Sequence, residues 1–171
     1  KAPVTGWDQN GKKAHWKNRA KGQPFFSIFN FNVTHESGLF EPYESAIAIP
    51  EDIEFSIPPY LPDTKTVRRD LWKMYNNIAL MDQQIGKVLK ELEDAGLLEN
   101  TIVFFYSDHG GPLPRQKRLV YDSGLKVPMI IRFPNKIYAG TQDDQLISFV
   151  DFAPTVLALS GQVPPDYLQG Q

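Results

Sequence analysis

The chain has 171 residues, with 18 basic and 20 acidic side chains and a formal charge of -2. This length suits one domain with one core, and 42% hydrophobic residues is an ordinary fraction for a folded protein. The near-neutral balance argues against nucleic acid or an anionic membrane surface as a partner. No run of 18 apolar residues is present to cross a membrane, and the absence of cysteine excludes disulfides and thiolate ligands within the segment.

Residues 1–23 are polar and loop-like, with Trp7 and Trp16 as isolated apolar anchors. Pro24 then opens Phe25-Phe26-Ser27-Ile28-Phe29-Asn30-Phe31, whose aromatic richness predicts a buried strand, and residues 24–37 carry this strand into His35. Residues 38–63 contain Pro42, Pro50, Pro58, Pro59 and Pro62, a spacing that forbids a long regular element. They form a surface excursion of the kind that shapes binding sites. From about Thr66 to Ala95 a helix is predicted. Leu71, Met74, Ile78, Met81, Ile85, Val88, Leu89 and Leu92 fall on one face, Asp63 or Thr64 can cap the start, and Gly96 can take a left-handed position at the end. Asp82 lies on or beside that face and reads as structural.

Thr101 to Tyr106 is a nearly continuous apolar run, the expected sequence of a central parallel strand. It ends in Ser107-Asp108-His109-Gly110-Gly111, at the strand end where open α/β sheets bind ligands. Residues 112–126 form a loop with Arg115, Lys117, Arg118 and Lys126, and Val127 to Phe133 reads as another strand. After a turn near Gly140, Asp151 is placed to cap a helix from Phe152 to about Ser160, with Pro154 in its first turn and Gly161 ending it. The expected fold is α/β, a mostly parallel central sheet flanked by helices.

Asp108 and His109 are a hard oxygen donor and a nitrogen donor side by side, able to hold half of a divalent-cation site; the plainer alternative is a turn cap beside a solvent-facing histidine. The glycines that follow let backbone approach a ligand closely. His35, just past the first predicted strand, could donate to a bound anion or act as a general acid, or be a surface histidine. A tetrahedral oxyanion near a cation needs positive side chains around it, but pattern alone does not choose among the four basic residues of the loop. Tyr121 and Asp122 could line the site or order the loop, and Glu36 adds little by itself.

At Phe104-Phe105-Tyr106-Ser107-Asp108-His109-Gly110 the chain resembles the sulfatases of the alkaline phosphatase superfamily, and the likeness extends over nearly all of it after the first twenty residues. Thr34-His35-Glu36 is similar to the family's Pro-His-x-Pro strand end, with Thr34 and Ser37 in place of the prolines. Met81-Asp82 and Ile85-Gly86 resemble the helix before the metal strand. The run from Lys117 to Pro128 is similar to Lys-Gly-Thr-x-Tyr-Glu-Gly-Gly-x-Arg-Val-Pro, and Val150 to Leu157 resembles the segment after the next strand. The resemblance implies an alkaline-phosphatase-like fold and hydrolysis of a sulfate ester. In it Asp108 and His109 would bind calcium, or magnesium as the alternative. Lys117 would contact the sulfate, His35 would stand near the ester oxygen, and Lys126 would match a more structural arginine.

The family's nucleophile is a formylglycine made in a Cys/Ser-x-Pro/Ala-x-Arg motif, preceded by paired aspartates. This sequence has no such motif, and its Asp143-Asp144 lies downstream of both site motifs. The expectation is therefore a partial sulfatase catalytic domain over residues 1–171, inert alone, whose nucleophile lies in an N-terminal part of a longer protein. The implied partner is a small-molecule or glycan sulfate ester, and the implied compartment is periplasmic, secreted or lysosomal. A phosphatase or phosphodiesterase of the same superfamily and a non-catalytic glycan-binding homologue are the competing readings.

Overall fold

In the computed structural model, which describes residues 6–170, the longest element is a single helix, α1 (Lys65–Asp94). Thr64 caps it by accepting from the Val67 amide at 3.3 Å, and Gly96, with φ +67°, turns the chain out of it. Both features follow from residue type: a hydroxyl satisfies an otherwise orphaned amide at the N-terminus, and glycine enters the left-handed region without a Cβ clash. The chain then passes through β1 (Val103–Tyr106), a one-turn helix α2 (Asp122–Leu125), β2 (Met129–Arg132) and α3 (Phe152–Leu159).

The expectation of a large, mostly parallel sheet is overturned. The described residues contain one sheet of two strands, β1 beside β2, each four residues long. A central parallel strand is buried on both faces. Here Ile130, Ile131 and Tyr106 are exposed, so neither strand has that environment. The predicted strand at Phe25–Phe31 is extended, and its residues alternate between half-buried and exposed, but no ladder of backbone hydrogen bonds joins it to a neighbour. Its aromatic side chains pack instead on the polar segment before it. Trp16 is buried against Phe25, His15 meets Phe29 edge-on, and Trp7 stacks on Phe26. The loop-like reading of residues 1–23 can be compared only from residue 6, because residues 1–5 lie outside the described part.

The buried face of α1 also differs from the apolar stripe expected. Leu71 and Leu92 are buried as predicted, whereas Ile78 and Asp82 are exposed, and the most buried positions include Lys73, Asn76 and Asn77. These side chains staple the Pro-rich excursion to the helix. Asn76 Oδ1 accepts from the amides of Ala48 (2.7 Å) and Ile49 (3.2 Å), while its Nδ2 donates to the Ala46 carbonyl (2.7 Å) and the Tyr43 hydroxyl (2.9 Å). Asn77 accepts from the Tyr43 hydroxyl at 2.8 Å and donates to the Gly38 carbonyl. Lys73 Nζ donates to the Leu39 carbonyl and to Glu41, and Trp72 Nε1 donates to the Pro50 carbonyl at 2.8 Å. A segment that prolines keep out of helix and sheet still has backbone groups to satisfy, and α1 supplies the partners.

The chain divides into two compact units, residues 1–131 and 132–171. The second is built on α3, preceded by a 3-10 turn at Phe149–Asp151. Asp151 accepts from the Ser148 amide at 2.8 Å, Pro154 sits in the first turn of α3, and Gly161 (φ +78°) ends it. No helix among the described residues is long and apolar enough to cross a membrane.

Candidate functional site

All of the candidate residues lie in the first unit. The end of β1 is fixed by close backbone packing. A Cβ on Gly110 would stand 1.9 Å from the Ser123 carbonyl oxygen, and one on Gly124 would stand 2.1 Å from that of Leu119. Glycine is required at both for approach, and the Gly110 amide donates to the Gly124 carbonyl at 2.9 Å. One residue on, the Lys117 amide donates to the Gly111 carbonyl at 3.1 Å. The basic loop is thus tied through its backbone to the segment that carries Asp108 and His109.

His35 caps the short 3-10 turn Glu36–Leu39. Its ring joins Ser37 Oγ at 2.8 Å through Nδ1 and Lys117 Nζ at 3.2 Å through Nε2, across 82 positions of sequence. Nδ1 also accepts from the Ser37 amide at 3.3 Å, the capping bond of this turn. The structure therefore brings together His35 and Lys117, the two residues named for the anion end of the site.

Of the other basic residues, Arg115 lays its guanidinium over the rings of Tyr60 (5.2 Å) and Tyr121 (4.7 Å), and Lys126 is exposed, its described hydrogen bond being made by its backbone amide. Tyr121 thus orders the loop through Arg115, and Asp122 opens α2. Arg118 grips Glu36 through both guanidinium nitrogens, Nη1 donating to Oε2 at 2.8 Å. Glu36 also receives Lys117 Nζ at 3.5 Å on the oxygen that Arg118 Nη2 holds. The Arg118 guanidinium, and to a smaller extent Lys117, holds the Glu36 carboxyl below its ordinary value of 4.5, against a desolvation that pushes the other way. Glu36, Pro114, Lys117 and Leu119 line a cleft beside this cluster.

Sequence reading left Arg118 as one of four undistinguished basic residues, gave Glu36 little weight and did not pair them. The signal was available: each directly follows a candidate residue, and the two carry opposite charges.

Asp108 is largely exposed, and its Oδ1 lies 3.7 Å from His109 Nε2. His109 Nδ1 reaches the Gly110 carbonyl at 2.8 Å, and a carbonyl only accepts, so Nδ1 carries a proton while Nε2 faces Asp108. Two donors fit one side of a divalent site, whereas calcium takes about six to eight oxygen ligands. Among the described residues no group of three or more His, Asp or Glu side chains is arranged to hold a metal ion.

A sulfatase family model matches residues 12–162. The chain is 55% identical over 205 aligned residues to an ulvan-active sulfatase of Formosa agariphila, an alignment that covers all of the chain and 34% of that protein. It is 31% identical to human N-sulphoglucosamine sulphohydrolase over 155 residues, 79% of the chain and 31% of the relative. An N-acetylglucosamine-6-O-sulfatase of Bacteroides thetaiotaomicron matches at 38% over 97 residues, 54% of the chain and 17% of the relative. The chain spans about a third of the length of the first two relatives.

Proposed function

Because the chain belongs to the sulfatase family, we propose that it forms the anion-binding part of an enzyme that hydrolyses sulfate esters on a glycan. The observation that carries this reading is the Lys117–His35 contact of 3.2 Å, which places a cation and a hydrogen-bonding imidazole together beside a cleft. A sulfate ester presents a charged tetrahedral group and an alcohol that needs a proton as it leaves. Lys117 supplies positive charge to the sulfate oxygens. His35 stands 3.2 Å from Lys117 through Nε2, and its imidazolium form would supply the proton to the departing alcohol oxygen. Ser37 Oγ holds the ring from its other side. Asp108 and His109 would hold part of a divalent cation, calcium or magnesium, which when bound neutralises charge on the sulfate. A formylglycine nucleophile would come from residues outside this segment. The glycan assignment is supported by the first relative, named as ulvan-active.

The test is release of inorganic sulfate by the full-length protein from a sulfated polysaccharide such as ulvan, measured by ion chromatography, beside a chromogenic aryl sulfate and the matching aryl phosphate. Sulfate release with little phosphate release is expected. Preferential phosphate release would overturn the sulfatase reading in favour of a phosphatase.

A further inference from the structure

Lys117 shares a carboxylate with a stronger competitor. Glu36 is half-buried, at 19% side-chain exposure, and so is Lys117, at 18%. A carboxylate 3.5 Å from a lysine ammonium in such a setting attracts it away from any arriving anion. Arg118 opposes this by occupying both oxygens of Glu36. A planar guanidinium matches both oxygens of a carboxylate as a point-charge ammonium does not, so Glu36 is satisfied chiefly by Arg118 and Lys117 is left the longer contact.

Arg118 has φ +71°, the left-handed region that favours glycine, and Arg115 has φ +65° three residues earlier. A side-chain-bearing residue held there costs about 1–3 kcal/mol and persists where its surroundings fix it. Arg118 stands at the third position of a turn closed by the Leu119 amide on the Gln116 carbonyl at 3.3 Å, and its side chain, 68% exposed, reaches Glu36 from there.

We propose that Arg118 is a positioning residue of the anion site, neutralising Glu36 so that the Lys117 ammonium stays available to an anionic substrate. This rests on the proposed role of Lys117. Without Arg118, Glu36 draws in Lys117 and the two form an ion pair that an incoming sulfate must break. Substituting Glu36 as well removes the competitor.

The experiment uses the full-length protein, with inorganic sulfate binding measured by calorimetry and KM and kcat measured on an aryl sulfate. Arg118→Ala should weaken sulfate binding about tenfold and raise KM, within the range of coupling between contacting charges. Arg118→Ala combined with Glu36→Gln should restore binding to within about threefold of the starting protein, a rescue that a purely structural role would not give. Arg118→Gly relieves the backbone at φ +71° while removing the guanidinium. It should bind sulfate as weakly as Arg118→Ala, and it stands in for that variant if the alanine form folds poorly. Unchanged sulfate affinity in both single variants, or a double variant no better than the single, overturns the proposal. Lys117→Ala separates the two readings: if it binds and turns over normally, the anion-site assignment itself fails. If it is impaired while the Arg118 variants are normal, only the role of Arg118 fails.

Discussion

Replacing Lys117 with alanine in the full-length protein is the sharpest test of the site. The side chain is 18% exposed, its backbone amide is tied to the Gly111 carbonyl at 3.1 Å, and its ammonium is guided by His35. It is therefore held in place before an anion arrives, the condition under which a cation stabilises developing charge without reorganisation. One unit charge about 4 Å from another in a setting of effective dielectric about 20 is worth about 4 kcal/mol. Loss of one preorganised oxyanion donor costs about 2.7–4 kcal/mol, or roughly 100- to 1,000-fold in kcat. The comparison is Lys126→Ala. That lysine is exposed, and its backbone amide keeps its bond to the Asp122 carbonyl at 2.8 Å whatever the side chain. It should change kcat by no more than about twofold. The assay is steady-state release of a chromogenic aryl alcohol, with thermal unfolding of each variant to confirm that both fold. Equal losses in the two variants, or a Lys117 loss confined to KM, would refute the reasoning, because the second pattern marks binding that does not strengthen in the transition state.

The 171-residue chain alone should release no sulfate from an aryl sulfate above buffer background, with or without calcium, and measurable turnover would contradict this. Asn76→Ala removes the partners of two amides, a carbonyl and a hydroxyl. With about 1–3 kcal/mol for each buried group left unsatisfied, it should destabilise the protein by about 3 kcal/mol or more in chemical denaturation. Gly110→Ala would drive a Cβ into the Ser123 carbonyl and should cost about 2 kcal/mol or more. Gly86→Ala, on α1 with nothing within 4 Å of the added carbon, should stabilise by about 0.5–1 kcal/mol. Because Glu36 is held below its ordinary value of 4.5, its ion pairs contribute stability that is fully present above pH 4.5 and is lost as pH falls through the depressed value. The stability difference between the native protein and Glu36→Gln should therefore be constant above pH 4.5 and shrink below it. A difference that instead changed between pH 6 and 8 would implicate another group.

Local signals in the sequence were reliable where a single residue type answers a single backbone need. Thr64 caps α1, Gly96 and Gly161 end helices with positive φ, and Pro154 sits in a first turn. Residue pattern alone did not choose among the four basic residues of the loop; the family resemblance named Lys117 beside His35, and the two lie 3.2 Å apart. The sheet was misread. Apolar, β-branched and aromatic runs report a preference for extended backbone, not the presence of a neighbouring strand, and Phe25–Phe31 is extended without a ladder. The buried face of α1 was misread because periodicity counts apolar side chains. Asn76, Asn77 and Lys73 are buried to satisfy backbone from a distant segment, and nothing in the helix's own sequence announces that segment. The Glu36–Arg118 pairing was missed because, although each follows a candidate residue, an ion pair across 82 positions is a tertiary event.

The polar staples on α1 also divide the Pro-rich excursion into fixed points and free spans. Residues 38–50 are pinned at Gly38, Leu39, Glu41, Tyr43, Ala46, Ala48, Ile49 and Pro50. The chain is held again where Phe55 stacks on Tyr75 and where the Tyr60 hydroxyl meets Gln116 beside the basic loop. Between these points Glu51 to Glu54 are exposed. A protease cut there would leave both ends moored, so the nicked protein should migrate as one particle and separate only on denaturation. The same span could be lengthened or rewritten while the helix that carries it stays folded.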